Sequence, residues 1–109
     1  MIYFSNFQKH SLNPVAVSIV RKVPKGFNGL IDKSLAPDLV SLIAYKQAAI
    51  SQTLFKELYL KKIESVKIYS IIQNYDECVL LCYCGAKSFC HRHILREYLA
   101  SKGVEVKEI

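Results

Sequence analysis

The chain has 109 residues, of which 51% are apolar and 22% charged, enough for one domain with one core and too few for two. That balance excludes a disordered tail or acidic scaffold, four glycines and three prolines exclude a fibrous or low-complexity chain, and no apolar run approaches the roughly 18 to 20 residues of a membrane helix. Fifteen Lys and Arg against nine Asp and Glu give a net charge of +6 and a pI near 9.2, which favours anionic partners such as a nucleotide, nucleic acid or an acidic protein surface. The basic residues (Lys9, Arg21, Lys22, Lys25, Lys61, Lys62 and Lys102 among them) are spread along the chain, so no basic arm is expected.

Ile2-Tyr3-Phe4 is β-prone and reads as a first strand entering a loop at Ser5-Asn6. Val15 to Val20 is a β-branched run between Pro14 and Arg21-Lys22-Val23-Pro24, apolar on both faces, and reads as a buried central strand of a parallel sheet. Lys25 to Gly29 is a loop by its two glycines. From about Pro37 to Ile63 the apolar spacing turns helical, and Ser51 is expected to cap a second helix and divide the stretch. A third helix is expected over Val66 to Asn74.

Val79 to Tyr83 has the length and composition of a strand, and a loop follows over Cys84-Gly85-Ala86-Lys87-Ser88. An amphipathic helix comes next, with Ile94, Leu95, Tyr98 and Leu99 on one face, Ser88 as its expected cap and Gly103 as its stop. Val104 to Glu108 alternates apolar with charged and fits an exposed edge strand. Strands separated by helices predict a single α/β domain with a mostly parallel sheet of about four strands. Ligands of such sheets bind beyond the carboxyl ends of the strands, which nominates Ser5 and Asn6, Arg21 and Lys22, and Cys82 through Cys90.

All four cysteines, Cys78, Cys82, Cys84 and Cys90, fall within thirteen residues. The amino terminus has no basic segment ahead of an apolar one, so no secretory signal is expected, and a cytoplasmic setting would keep the thiols reduced. Three readings compete for the segment from Cys82 to His93. In the first, Cys90 lies in the first turn of the last helix, where free backbone N–H groups, the helix dipole and the neighbouring His91 and Arg92 stabilise a thiolate or hold an anion, with Arg21 converging from the next strand end. In the second, zinc is held by Cys84, Cys90 and His91 or His93, with or without Cys82, although the spacing forms no C-x-x-C knuckle. In the third, the cysteines are small buried hydrophobes and the basic residues only cap and solubilise.

Cys90 and Arg96 share the spacing of a C-x5-R phosphate loop, but the residues between them read as helix, so Arg96 would lie one to two turns up that helix and cradle nothing. Walker, G-x-G-x-x-G, H-E-x-x-H and G-x-S-x-G patterns are absent. Tyr45 and Lys46 read as helix surface, and His10 as a loop histidine.

These motifs resemble the domain of unknown function 488 family. Its members are similar in carrying an apolar strand, Cys-x-Glu, a short loop, then Cys-His-Arg opening the last helix before a final strand. Here the corresponding residues are Val79-Leu80-Leu81-Cys82-Tyr83-Cys84 and Cys90-His91-Arg92. Val17 to Pro24 resembles the family's strand ending in Arg-x-x-Pro, and Leu35-Ala36-Pro37 and Tyr45-Lys46 are similar to stretches of its short bacterial and phage members. Cys84 stands where the family usually has glutamate, replacing a carboxylate acid or base with a thiol. The resemblance implies an α/β fold and no settled activity.

The leading expectation is a cysteine-dependent enzyme or anion-binding protein acting on a phosphate-containing ligand, a nucleotide or nucleic acid. Cys90 would be the nucleophile or anion-contacting thiolate and His91 its proton carrier. Arg21 and Arg92 would bind the anion, Cys84 would serve as second thiol, and Ser5 and Asn6 would complete the rim. No cofactor is expected unless zinc occupies Cys82, Cys84, Cys90 and His93. The alternative is a non-catalytic module that binds nucleic acid or a host protein, phage-encoded, with the Cys/His cluster structural or zinc-binding.

Overall fold

The computed structural model describes residues 1–85 and 89–109 of the chain. Five strands, β1 (Ile2–Asn6), β2 (Ala16–Ser18), β3 (Leu30–Ile31), β4 (Val79–Cys82) and β5 (Val106–Glu108), form one sheet in the order β3-β2-β4-β1-β5. Among the described residues every pairing is parallel, and the sheet has five strands where about four were expected. Five α-helices accompany it: α1 (Phe7–His10), α2 (Leu39–Lys46), α3 (Gln52–Ser65), α4 (Ile68–Tyr75) and α5 (His91–Ser101). Among the described residues no helix is long and apolar enough to cross a membrane.

The central strand is β4, not the Val15–Val20 run, which shortens to β2 and lies between β3 and β4. All four residues of β4 are buried, as a strand covered on both faces requires. On one face Ile2, Phe4, Val17 and Leu80 pack with Phe55, Tyr59 and Ile63 of α3, Ile71 of α4, and Ile94, Leu95 and Leu99 of α5. On the other face Ala16, Val79 and Leu81 pack with Phe7 of α1, and Val23 and Phe27 of the following loop close over them. A thick helical layer thus covers one side and a thin one the other.

Three elements have no counterpart in the sequence reading, one of them a 3-10 turn at Lys33–Leu35 begun by Asp32, whose side chain accepts from the Ser34 amide at 2.9 Å. Helix α1 is a single turn, begun by Asn6, whose side chain accepts a hydrogen bond from the Lys9 amide at 2.9 Å. Strand β3 is two residues long and exposed at the sheet edge, too short for any periodicity to show. The expected capping at Ser51 is present: its Oγ accepts from the Leu54 amide at 3.1 Å. The third helix runs two residues later than expected, from Ile68. Gly103 stops α5 at φ +83° in a Schellman motif, with Gly103 N–H donating to Ala100 O and Val104 N–H to Leu99 O, both at 3.0 Å.

Because every strand is parallel, all carboxyl ends reach one rim. Asn6 is paired with Cys82 there, and Ser18 lies beside Leu81. Beyond Ser18 the chain stays attached, since Ile19 N–H donates to Leu81 O at 3.1 Å and Val20 N–H to Ser18 Oγ at 3.3 Å. This double anchor delivers Val20, Arg21 and Lys22 to the mouth of β4.

Candidate functional site: a sulfur cluster at the floor of a basic cleft

Strand β4 ends at Cys82 and the chain turns through Tyr83 and Cys84. The Tyr83 hydroxyl donates to Lys22 O at 2.6 Å, and its ring lies 4.9 Å from that of Phe7, which ties the exit of β4 to the exit of β2. The chain returns at Cys90, which is the N-cap residue of α5 and not part of its first turn as the spacing suggested. Its extended backbone turns the sulfur back toward the strand, so the side chain caps nothing and instead lies 2.9 Å from Cys82 Sγ. Ser88, the expected cap, lies outside the described residues. The sulfurs of Cys82, Cys84 and Cys90 are all within 4.8 Å of one another and could hold a metal ion such as zinc. Cys78, at the other end of β4, is not among them.

Successive residues at the start of α5 point about 100° apart, so His91, Arg92 and His93 take three different directions. His91 is buried, and its Nε2 lies 2.7 Å from Ile19 O. A carbonyl only accepts, so Nε2 carries the proton and Nδ1 is left as an acceptor, 3.8 Å from Cys90 Sγ. Burial holds the His91 pKa down at about 4, against the pull of its Ile19 bond, and the imidazole is neutral at pH 7. His93 turns away from the sulfurs: Nδ1 accepts from Arg96 at 2.8 Å, and Nε2 lies 3.3 Å from Gly85 O. The histidine beside the sulfur cluster is therefore His91, and the zinc set that included His93 does not assemble.

Arg92 is fully buried beneath the cluster. Its Nη1 donates to Ser5 O at 2.6 Å, Cys84 O at 2.9 Å and Cys82 Sγ at 3.3 Å, and its Nη2 pairs with Glu108 of β5 at 3.0 Å. Arg96 Nη1 also pairs with Glu108, at 2.8 Å. Two guanidinium groups face one carboxylate, leaving a net positive charge beside Cys82 Sγ that favours a thiolate there. Arg92 Nε and Ser5 Oγ are buried without a hydrogen-bond partner among the described residues.

The contacts of the pair favour a thiolate at Cys82 over one at Cys90, the position the helix terminus suggested. Two sulfurs 2.9 Å apart cannot both carry charge, and the guanidinium touches Cys82. The hydrogen bond from Cys90, helped by the Arg92 charge, lowers the Cys82 pKa to about 7. Cys90, donating that bond and buried beside the charge, is pushed far up and keeps its proton. Burial also raises Cys84 and Cys78. Iodoacetamide labelling mapped by mass should therefore show Cys82 modified with a midpoint near pH 7, ahead of the other three. A native protein in which Cys90 reacts first would reverse the assignment.

Above the sulfurs opens a cleft of about 280 Å³. Cys82, Cys84 and His91 form part of its lining, Arg21, Lys22 and Lys46 supply positive charge, and Pro37, Leu39, Leu42, Val20 and Tyr83 supply apolar surface. Arg21 is steadied by a 3.4 Å bond from Nη1 to Pro37 O. Arg92 does not line this cleft, because its charge is spent inside the protein. Asn6 caps α1, and Ser5 offers Arg92 its carbonyl, so neither reaches the cleft wall. Lys46, which the sequence placed on a solvated helix face, and Tyr83, which it placed inside a strand, both belong to the site. Arg96 contacts His93 and Glu108 up the helix, as its place in α5 requires.

Residues 5–103 match the model of DUF488-N3a, described as the active DUF488-N3 subclade. The chain belongs to this family. No curated protein and no solved structure matches it. The DUF488-N3a match contains the cysteine cluster, Arg21, Lys46 and the start of α5, whereas Glu108, the carboxylate that closes the Arg92 pair, lies beyond it. Cys84, at the position read as departing from the family's glutamate, sits half-buried in the cleft.

Proposed function

We propose that the rim cleft binds a phosphate-bearing ligand of nucleotide type and presents it to Cys82, the thiolate of a cysteine-dependent enzyme. The observation that carries this reading is the sharing of one cleft by Arg21, Lys22 and Lys46 with Cys82, Cys84 and His91. Guanidinium and ammonium groups above a thiolate suit a ligand that is anionic at one end and electrophilic at the other. The apolar wall of Leu39, Leu42 and Tyr83 suits a flat organic group. Cys82 would attack and Cys90 would hold the proton beside it, so Cys90 acts on the nucleophile and is not the nucleophile. The family's description as an active subclade supports an enzyme over an inert relative.

Calorimetric titration with inorganic phosphate and nucleoside monophosphates tests the binding step. Saturable binding is expected, weakened roughly tenfold by Arg21→Ala and again by Lys46→Ala, the loss of one charged contact each. No saturation at millimolar ligand, or affinity indifferent to both substitutions, would sink the proposal.

The sulfur spacing supports a second reading, a binding module for nucleic acid or a protein whose cluster holds zinc. It predicts stoichiometric zinc, thiols that resist alkylation until a chelator is added, and affinity for nucleic acid falling linearly on a log–log salt plot.

A further inference from the structure

We propose that Cys82 and Cys90 form a reversible dithiol–disulfide couple through which a hydroperoxide switches the cleft off. The inference rests on the reading of Cys82 as the reactive sulfur of the cleft. Three observations on geometry carry it. The two sulfurs already lie 2.9 Å apart, less than an ångström beyond disulfide bonding distance, which is about 2.05 Å. Cys82 contributes to the cleft lining and Cys90 does not, while both residues are almost fully buried, at 1% and 4% exposure. An oxidant entering the cleft therefore meets the Cys82 side of the pair first, with Cys90 as the partner sulfur behind it. Finally, the pair joins the end of β4 to the N-cap of α5, so the crosslink would tie the exit of the strand to the start of the helix.

The chemistry balances in two steps. Cys82 thiolate attacks the hydroperoxide, the O–O bond breaks, an S–O bond forms, and the alkoxide or hydroxide released takes a proton from water. Cys90 then attacks the Cys82 sulfenic acid; the S–S bond forms, the S–O bond breaks, and the Cys90 proton leaves with the hydroxyl as water. The two sulfurs together lose two electrons and the hydroperoxide gains them. The disulfide removes the thiolate from the cleft and leaves the buried Arg92 with one anionic neighbour fewer. A dithiol reductant restores both thiols.

The test exposes the purified full chain to a few equivalents of hydrogen peroxide, blocks remaining thiols and maps the linkages by mass without reduction. A Cys82–Cys90 disulfide reversed by dithiothreitol is expected, retained in Cys78→Ser and in Cys84→Ser. Cys82→Ser should slow the oxidation of Cys90 at least about tenfold, because a protonated thiol off the cleft lining is a poor nucleophile. Cys90→Ser should drive Cys82 to sulfinic acid or to a disulfide with Cys84. Direct formation of Cys82 sulfinic acid in the unsubstituted chain, a Cys82–Cys84 linkage, or thiols protected by stoichiometric metal would each overturn the proposal. Inorganic phosphate binding by the reduced chain, measured in parallel, separates the two readings. Disulfide without phosphate binding leaves the couple and removes the ligand, and binding without disulfide does the reverse.

Discussion

Replacing Arg92 with leucine should cost about 3–5 kcal/mol of stability, the penalty typical of breaking a buried ion pair from one side. Four acceptors depend on this guanidinium: the Ser5 and Cys84 carbonyls, Cys82 Sγ and Glu108. Leucine fills much of the volume and satisfies none of them. Against a total of roughly 5–15 kcal/mol for a domain of this size, such a loss unfolds the protein or lowers its Tm by roughly 15–25 °C. Arg92→Lys keeps the charge but not the fork; one ammonium cannot reach β1, β5 and the Cys84 turn together, so an intermediate loss is expected. In that variant the alkylation midpoint of Cys82 should also move upward, because a charge–thiolate contact is weakened. Urea titration checks the first effect and pH-resolved labelling the second. A loss below about 1 kcal/mol in Arg92→Leu would mean that water, not this side chain, satisfies the four acceptors.

The second large effect is acid lability centred on His91. Its imidazole is held near a pKa of 4 by burial, against an ordinary 6.5, so between these values the unfolded chain takes up a proton that the folded chain refuses. Stability from this residue is complete above about pH 6.5 and falls as pH drops, with roughly 3 kcal/mol gone below pH 4. His93, whose pKa burial also lowers, adds a change of the same sign. His91→Gln supplies an amide N–H in place of Nε2–H and cannot titrate. Urea midpoints for this variant should be flatter between pH 6.5 and 4 than those of the unsubstituted chain. Equal slopes in the two proteins would show that the acid transition belongs to other groups.

Much of the fold could be read directly from local pattern. The apolar run at Val79 to Tyr83 predicts a strand, found one residue shorter, Ser51 a helix start and Gly103 a helix stop, and each is determined by neighbours within a few residues. The elements that escaped are those whose local signal is weak. Leu30–Ile31 becomes a strand only because Val17 and Ser18 present an edge to it, and Phe7–His10 becomes a turn of helix because Asn6 ends β1 in a capping conformation.

The site divides in the same way. The residues themselves determined that sulfur, imidazole and guanidinium would gather at the carboxyl rim of an α/β sheet, since clustering within thirteen positions and a strand–loop–helix pattern are properties of the chain alone. Which group does what was decided by contacts between residues far apart in sequence. Arg92 meets Ser5 across 87 positions, a contact that holds its guanidinium inside the protein beside Cys82 and out of the cleft lining. His91 meets Ile19 across 72 positions, and that bond sets its tautomer. Lys46 reaches the cleft only because α2 packs beside the exit of β2. Charge and protonation depend on the distance to the nearest opposite charge and on exclusion of water, and both are properties of the packed structure that no local pattern contains.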